Sequence, residues 1–451
     1  MNKKRGSFSG RIGFVLAAAG SAVGLGNLWR FPYLAARYGG GTFLVIYLIL
    51  VVTFGYSLMT AEITLGRRTR LSAVGAYGKV DRRFQFVGLL TCLVPIIIVP
   101  YYCVLGGWIL KYLGVFVTSG AQTAAADTYF STFIASPIQP YILTVVYLTI
   151  TAVIVSFGVK RGVEAASRFM MPLLVVLSIA ISIYSMTRPG AWEGVKYYLT
   201  PHFSDVSLNT LLGALGQMFF SMSLAMGIMI TYGSYMMDDT DIEKSVSQIE
   251  CFDTGIAFLA GLMIIPSVFA FSGGDEAALN AGPGLMFVTM PKVFASMNFG
   301  TVIGIAFFVL VFFAALTSSI SLYETVVSIF CDKFHITRIQ SCIVTYVICL
   351  VLGVFSALGY GTLSGIAPLG LNFLDFFDFV SNSILMPVVA LLTCLCLGWF
   401  AGLDVVADEV KKTSTFRREK MFRVMIRWIA PIFLIAILIS SVLSTLGIIS
   451  L

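Results

Sequence analysis

Long apolar runs separated by short polar stretches fill almost the whole chain. A helical crossing of a bilayer takes about 20 apolar residues, and eleven runs are long enough. They lie near 12–36, 41–65, 86–117, 141–158, 169–186, 208–235, 252–272, 300–330, 339–358, 376–400 and 428–449. The pattern predicts an all-α polytopic membrane protein with eleven transmembrane helices, whose termini lie on opposite sides of the membrane.

Two of these runs are interrupted by residues that disfavour a continuous helix. AAAGSAVGLGNLWRFP (17–32) contains three glycines, and GQMFFSMSLAMGIMITYGSY (216–235) has serines and a glycine at its centre. A broken helix is tolerated in hydrocarbon only where its freed backbone groups face protein or water. Breaks five spans apart predict two inverted five-helix repeats around a midplane site. Taken alone, the first stretch is equally consistent with a small-residue face for helix packing.

The predicted organisation is therefore a single transmembrane transporter domain covering residues 1–451. Its first repeat runs over about 8–186 and its second over about 207–400. One extra helix follows at about 428–449.

Composition and charge agree with this prediction. The chain is 58% hydrophobic and only 11% charged, whereas soluble domains carry about 25% charged residues. With the N-terminus in the cytoplasm, 23 of the 29 lysines and arginines fall on the cytoplasmic side. This positive-inside bias accounts for the net charge of +7, so no nucleic-acid partner is expected. The C-terminus is predicted to lie outside.

Enzymatic chemistry is not indicated. The chain has two histidines, both near predicted helix ends, and no nucleophile with a base or metal set is visible. We expect no catalytic residues and no organic cofactor.

Several motifs carry a family resemblance. GSAVGLGNLWRFPY, YGGGTF, GQMFFSMSL, ITYGSY and FFAALTSSISL resemble the neurotransmitter:sodium symporter family, which transports amino acids and biogenic amines with sodium. The chain lacks a twelfth span and any Asn-x-Ser/Thr acceptor, so it resembles a bacterial member. The resemblance implies a multi-pass protein of the inner cell membrane that works by alternating access.

The resemblance also implies two sodium sites. The first site uses the Ala22 carbonyl, the side chains of Asn27, Ser221 and Asp253, and the substrate carboxylate. The second uses the carbonyls of Gly20, Val23 and Ala314 and the hydroxyls of Thr317 and Ser318.

Asp253 departs from the family, in which asparagine is common at this position. Chloride-dependent relatives hold an anion through residues that resemble Tyr47, Gln217 and Ser221. We expect Asp253 to replace that anion and to contact sodium, which makes transport chloride-independent. Whether a proton returns outward on this carboxylate stays open.

The substrate implied by the resemblance is a neutral, apolar amino acid. Relatives that transport monoamines have an aspartate where this chain has Gly24. Aromatic and branched aliphatic side chains are both open, as is the oligomeric state. The implied binding residues are Ser21, Ala22, Gly24, Leu25, Gly26, Ile98, Tyr102, Phe220, Ser221, Ser223, Ala225, Met226, Ser318 and Leu322.

Two gates are implied as well. Arg30 would pair with Asp378 on the outer side, and Arg5 with Asp332 on the inner side, supported by Phe8, Ser234 and Tyr235. Gly162 and Pro172 would allow local unwinding, and Glu62 would support the broken first helix. A non-transporting amino-acid sensor on the same fold and an ion channel are the alternatives.

Overall fold

Helices account for the regular structure of the protein. The structure, a computed structural model, describes residues 6–273 and 284–445. Within those ranges every regular element is helical and no strand is formed. Long apolar runs favour this outcome, because a helix satisfies its own backbone hydrogen bonds where lipid cannot.

The helices are numbered in chain order, and isolated single turns are left without a number. The first nine are α1 (Arg11–Ala22), α2 (Gly26–Arg37), α3 (Gly41–Thr69), α4 (Ala73–Val80), α5 (Arg82–Thr118), α6 (Tyr129–Ala135), α7 (Gln139–Ser156), α8 (Val159–Met186) and α9 (Ala191–Leu199). The others are α10 (Leu208–Ser221), α11 (Ile228–Ser234), α12 (Ile242–Ser272), α13 (Leu285–Ala295), α14 (Gly300–Phe334), α15 (Arg338–Leu358), α16 (Phe373–Phe400), α17 (Asp404–Lys411) and α18 (Glu419–Ser441).

Nine helices in the described ranges are long and apolar enough to cross a membrane, and the bent pair α1 and α2 makes a tenth span. The predicted span at 208–235 is divided between α10 and α11, and each part is too short to cross alone. The count of eleven therefore stays a prediction. The last helix begins at Glu419 rather than at 428, and its predicted end at 449 lies outside the described residues.

Both predicted interruptions are present as breaks in the helices. The axes of α1 and α2 differ by 49°. Between α10 and α11 the chain leaves helical geometry over residues 222–227, where Ser223 and Ala225 have φ of 53° and 58°. This left-handed region is uncommon for residues with a side chain. The two breaks touch, because the Ser223 hydroxyl donates to the Ser21 carbonyl at 3.0 Å.

Two glycines bring α3 and α11 into backbone contact. A Cβ at Gly66 would overlap the carbonyl oxygen of Ile230, and a Cβ at Gly233 would overlap that of Ile63. Small residues at helix interfaces permit this close approach in membranes. The half helix α11 is therefore packed tightly against an unbroken neighbour.

A buried ion pair anchors the connection between α16 and α18. Arg67 of α3 is 2% exposed, and its Nε lies 2.9 Å from Oε1 of Glu409 on α17. Arg67 also donates to the Thr240 carbonyl at 2.6 Å, and Lys412 Nζ contacts Glu409 Oε2 at 2.7 Å. Burial alone would raise the pKa of Glu409, but the hydrogen bond from Lys412 and the charge of Arg67 lower it.

We expect Glu409→Gln to destabilise the protein, because it leaves the Arg67 charge buried without its partner, which costs about 3–5 kcal/mol. A carboxylate whose pKa is lowered in the folded state stabilises the protein at pH values above its usual pKa of 4.5. It loses that contribution as the pH falls through the folded-state pKa. At pH 7 the unfolding temperature in detergent should therefore be lower for Glu409→Gln than for wild type, and the difference should shrink on acidification. Asp408→Asn, at an exposed neighbouring position, is the control; an equal loss there would contradict the assignment.

Candidate substrate and sodium sites

A ring of polar side chains joins the two helix breaks. Asn27 Nδ2 donates to Asp253 Oδ1 at 2.7 Å and to the Asp253 carbonyl at 3.0 Å. The Ser221 hydroxyl donates to the same Oδ1 at 2.8 Å. The Gly24 amide donates to Asn27 Oδ1 at 3.1 Å. Residues from α2, α10 and α12 therefore meet at one carboxylate.

Tyr47 completes this ring, and Gln217 contacts the adjacent backbone. Tyr47 of α3 donates to Asp253 Oδ2 at 3.3 Å. Gln217 Nε2 donates to the Gly26 carbonyl at 2.8 Å, whereas its Oε1 is buried without a partner. Of the three residues that resemble the family's anion site, Tyr47 and Ser221 therefore contact Asp253, and Gln217 contacts the backbone next to Asn27.

The Asp253 carboxylate is fully buried. Among residues 6–273 and 284–445, no lysine, arginine or histidine nitrogen lies within 4.0 Å of it. The same ranges hold no cluster of three His, Cys, Asp or Glu side chains that could bind a metal ion. The oxygens around Asp253 instead suit a hard cation, which prefers carboxylate, carbonyl and hydroxyl ligands.

A second group of oxygens lies between α1 and α14. The Ser318 hydroxyl contacts the carbonyls of Ser21 at 3.0 Å and Gly20 at 3.5 Å. The Thr317 hydroxyl lies 3.0 Å from the Ala314 carbonyl. Val23 follows the end of α1 in extended geometry, so its carbonyl is not used within that helix. The residues of the expected second sodium site therefore lie at this contact between the two helices.

A small cavity of about 20 Å³ lies beside these oxygens. Its walls include eleven of the fourteen residues expected to bind substrate, and no charged side chain is among its lining residues. The lining residues are Ser21, Ala22, Gly24, Gly26, Ile98, Tyr102, Phe220, Ser223, Met226, Ile228, Ser318 and Leu322. A volume of this size corresponds to about one water molecule, so any larger occupant requires the walls to move.

Close contacts define two sides of the cavity. A Cβ at Gly24 would lie 2.5 Å from Ser318 Oγ and 3.0 Å from the Tyr102 hydroxyl. A Cβ at Gly26 would lie 2.7 Å from the ring of Phe220. The backbone of the break therefore forms part of the cavity wall, and the Leu25 amide donates to the Tyr102 hydroxyl at 3.2 Å.

Three expected substrate residues are not in the wall. Leu25 contributes its amide to Tyr102, Ser221 is directed to Asp253, and the Ala225 amide donates to Glu62 Oε1 at 2.7 Å. Ile228 lines the cavity although sequence reasoning missed it. Periodicity gives no facing direction across an irregular segment, so no sequence signal marked Ile228.

The expected outer gate is not closed by a direct ion pair. Asp378 accepts hydrogen bonds from Tyr101 at 3.1 Å and from Asn382. Arg30 lies 5.5 Å from the ring centroid of Phe220. Arg30 and Asp378 both line an outer cavity of about 230 Å³ that Asp375 also faces. In the described residues, no oxygen of Asp378 lies within 4.0 Å of Arg30.

The expected inner gate is visible only in part. Arg5 lies outside the described residues, and Asp332 accepts from the Ser72 amide at 2.8 Å. The Phe8 amide donates to the Tyr235 carbonyl at 3.1 Å, and the Phe8 ring packs edge-on against that of Tyr235. Ser234 is buried beside them in α11.

An ion pair that sequence reasoning missed lies next to this gate. Tyr235 donates to Glu324 Oε1 at 2.8 Å, and Glu324 pairs with Arg338. Glu324 has no exposed surface. A carboxylate within an apolar run was the signal that could have marked it, since such groups are rare unless paired.

The start of α8 is irregular around Gly162, whereas the helix is regular past Pro172, so the unwinding between these two residues stays a prediction. Residues 159–164 form a wider helical turn, and a Cβ at Gly162 would overlap the Ile154 carbonyl. Glu164 accepts from the Ser9 amide at 2.9 Å and pairs with Arg168 at 2.8 Å. This carboxylate, which sequence reasoning did not single out, joins α8 to the segment before α1.

Known proteins match this chain along nearly its whole length. The profile of the sodium:neurotransmitter symporter family matches residues 5–133 and 134–448. The sodium-dependent transporter YhdH of Bacillus subtilis is 34% identical, over 96% of this chain and 97% of that protein. The sodium-dependent transporter MJ1319 of Methanocaldococcus jannaschii is 32% identical, over 96% and 90%.

A solved structure is similar in fold as well. The crystal structure of MhsT in complex with L-phenylalanine aligns with a TM-score of 0.89 and 38% identity. The alignment covers 97% of this chain and all of that one. The matched profile, the relatives and the shared fold together show that this chain is a transporter of the sodium:neurotransmitter symporter family.

Proposed function

We propose that the chain imports a neutral, apolar L-amino acid together with sodium ions, independently of chloride. Asp253 carries this proposal. An intramembrane carboxylate is costly unless it is paired or bound to an ion, and this one is fully buried among hydrogen-bond donors with no basic partner within 4.0 Å in the described residues. Sodium in contact with Asp253 and Asn27 would supply the missing positive charge.

Substrate and ion would share one site. The first sodium would contact the Ala22 carbonyl, Asn27, Ser221, Asp253 and the carboxylate of the amino acid. The second would lie among Gly20, Val23, Ala314, Thr317 and Ser318. Because the substrate completes the first ion's shell, each ligand would bind more tightly when the other is present.

The side-chain part of the cavity supports an apolar substrate. Ile98, Phe220, Met226 and Leu322 form its apolar walls, and no charged group lines it. Met is flexible and fills irregular space, which suits substrates of different size. MhsT is a relative seen with L-phenylalanine, and this supports including aromatic amino acids among the substrates.

Chloride independence follows from the same carboxylate. Tyr47, Gln217 and Ser221 resemble an anion site; Tyr47 and Ser221 donate to Asp253 directly, and Gln217 contacts the adjacent Gly26 carbonyl. A fixed negative charge at this position would repel a chloride ion from the ring. Chloride would then have no part in balancing the sodium charge.

Alternating access would use the two gates in turn. Arg30 and Asp378 line one outer cavity without direct contact, so their pairing would accompany closure of the outer side. Arg5 with Asp332 would act in the same way on the inner side. Unwinding between Gly162 and Pro172 would open a water path to the second sodium.

The membrane arrangement forms part of the proposal. Eleven spans would comprise two inverted five-helix repeats and one extra helix, in the inner membrane of a bacterial cell. The N-terminus would be cytoplasmic and the C-terminus outside, as the distribution of lysine and arginine indicates.

Uptake into proteoliposomes tests the proposed transport. Labelled phenylalanine, tryptophan, leucine and alanine are supplied with an inward gradient of sodium or potassium, as chloride or gluconate salts. We expect saturable uptake of the larger apolar amino acids with sodium and equal rates in the two anions. Binding without uptake would indicate a sensor. Flux of ions without saturation by substrate would indicate a channel, and uptake that persists in potassium would contradict sodium coupling.

Asp253→Asn tests the role of the carboxylate. We expect the sodium concentration for half-maximal uptake to rise at least tenfold in gluconate, because the ligand charge is lost, and chloride to restore part of the affinity. Asp239→Asn changes the same side chain at an exposed position in the loop after α11 and should match wild type. Unchanged sodium dependence in Asp253→Asn would contradict the assignment.

Gly24→Ala tests the cavity wall. The added methyl would approach Ser318 Oγ and the Tyr102 hydroxyl, so uptake should fall at least tenfold. Gly255→Ala is the matched control, because a Cβ at this helical glycine meets nothing within 4 Å. Normal uptake by Gly24→Ala, or an equal loss in Gly255→Ala, would show that this wall does not limit substrate binding.

A further inference from the structure

An exposed cluster of aromatic and basic side chains lies where α16 ends and α18 begins. The Arg427 guanidinium lies 5.1 Å from the ring centroid of Trp399 and 5.8 Å from that of Trp428. The two indoles are perpendicular, with centroids 4.8 Å apart. The Trp399 indole also donates to the Arg427 carbonyl at 3.2 Å. The Arg427 guanidinium therefore lies beside both indole rings.

The cluster faces outward from the protein. Trp399 is 48% exposed and Trp428 is 53% exposed, and Phe400 beside them is 51% exposed. Indole rings favour the level of lipid headgroups, because they combine an apolar body with a polar N–H. The neighbouring apolar positions Val424 and Ile432 of α18 are exposed as well, which suits contact with acyl chains.

The positive charge of this cluster is not balanced nearby. Asp404 and Glu419, which could serve it, are paired with Arg423 instead. Among the described residues, Arg427 has no carboxylate within 4.0 Å and its guanidinium makes no hydrogen bond. Residues 404–427 contain seven basic and four acidic side chains.

A second basic residue shares the exposed face. Lys420, Val424, Arg427 and Trp428 are all exposed and spaced as one side of a helix. On the neighbouring surface Arg83 lies 4.7 Å from the ring centroid of Phe400. The result is an exposed patch with aromatic rings at its centre and basic groups at its edges.

We propose that this patch, formed by Lys420, Arg427, Trp399, Trp428 and Phe400, binds an anionic phospholipid of the adjacent leaflet. Arginine presents a planar set of N–H donors that matches a phosphate, and stacking on the indoles orients that plane. The phosphodiester would contact Arg427, and a charged headgroup would extend towards Lys420. The acyl chains would lie along the exposed apolar surface of α18.

Clusters of basic residues at the ends of transmembrane helices favour anionic headgroups in this way. A general interfacial anchor would contact any lipid, whereas this site requires the negative charge. The lipid would join α18 to α16, the helix that carries Asp378. This contact is independent of the assignment of the substrate site.

The test measures lipid binding to the purified full-length chain. Native mass spectrometry and thermal unfolding in a neutral detergent are recorded with phosphatidylglycerol, with phosphatidylcholine of the same acyl chains, and with inorganic phosphate. We expect phosphatidylglycerol to bind at least tenfold more tightly than phosphatidylcholine and to raise the unfolding temperature. Inorganic phosphate alone should have no effect.

Variants assign the binding to the patch. Arg427→Ala should lower phosphatidylglycerol affinity at least tenfold, and Arg427→Lys should restore only part of it because the planar donors are lost. Lys420→Gln, at an exposed side chain, should weaken binding by a smaller factor without affecting folding. Arg188→Ala is the matched control, because Arg188 also lies over an aromatic ring, 5.7 Å from that of Tyr184, at the end of α8.

Several results would overturn the proposal. Equal binding of phosphatidylglycerol and phosphatidylcholine would show a general anchor, and an effect of free phosphate equal to that of the lipid would show a simple anion site. Wild-type affinity in both Arg427→Ala and Lys420→Gln, or an equal loss in Arg188→Ala, would place the lipid elsewhere.

Discussion

Two helices are broken at buried positions of the bundle, and their freed backbone groups need partners. An unsatisfied amide or carbonyl costs several kcal/mol in such surroundings. Gln217 donates to the Gly26 carbonyl, Glu62 accepts from the Ala225 amide, and Tyr102 accepts from the Leu25 amide. These contacts stabilise the breaks and, at the same time, hold the walls of the cavity.

The Asp253 carboxylate also needs partners, and they come from several helices of the bundle. Asn27 reaches it from α2, Ser221 from α10 and Tyr47 from α3, while Asp253 itself belongs to α12. A cation bound there would attract oxygens that belong to different helices. Ion binding would therefore favour the arrangement in which these helices are close, which is how a ligand shifts a conformational equilibrium.

Much of the fold and part of the site could be predicted from the sequence. Apolar length determines where helices form, and glycines or serines within a run indicate where they break. The direction in which each residue at the break faces could not be predicted, since the Ala225 amide contacts Glu62 while Ile228 lines the cavity. Side-chain pairings at a distance were also missed, such as Glu164 with Ser9, because they depend on how α8 packs against α1.

The backbone contact between α3 and α11 determines how the second broken helix can move. Gly66 and Gly233 leave no room for a side chain between the two helices, so the backbones of α11 and α3 are in direct contact there. We therefore expect the two helices to move together, with any change relative to α10 taken up at the irregular residues 222–227. At these two glycines, natural selection would act on side-chain volume rather than on polarity, since even a methyl group would separate the helices.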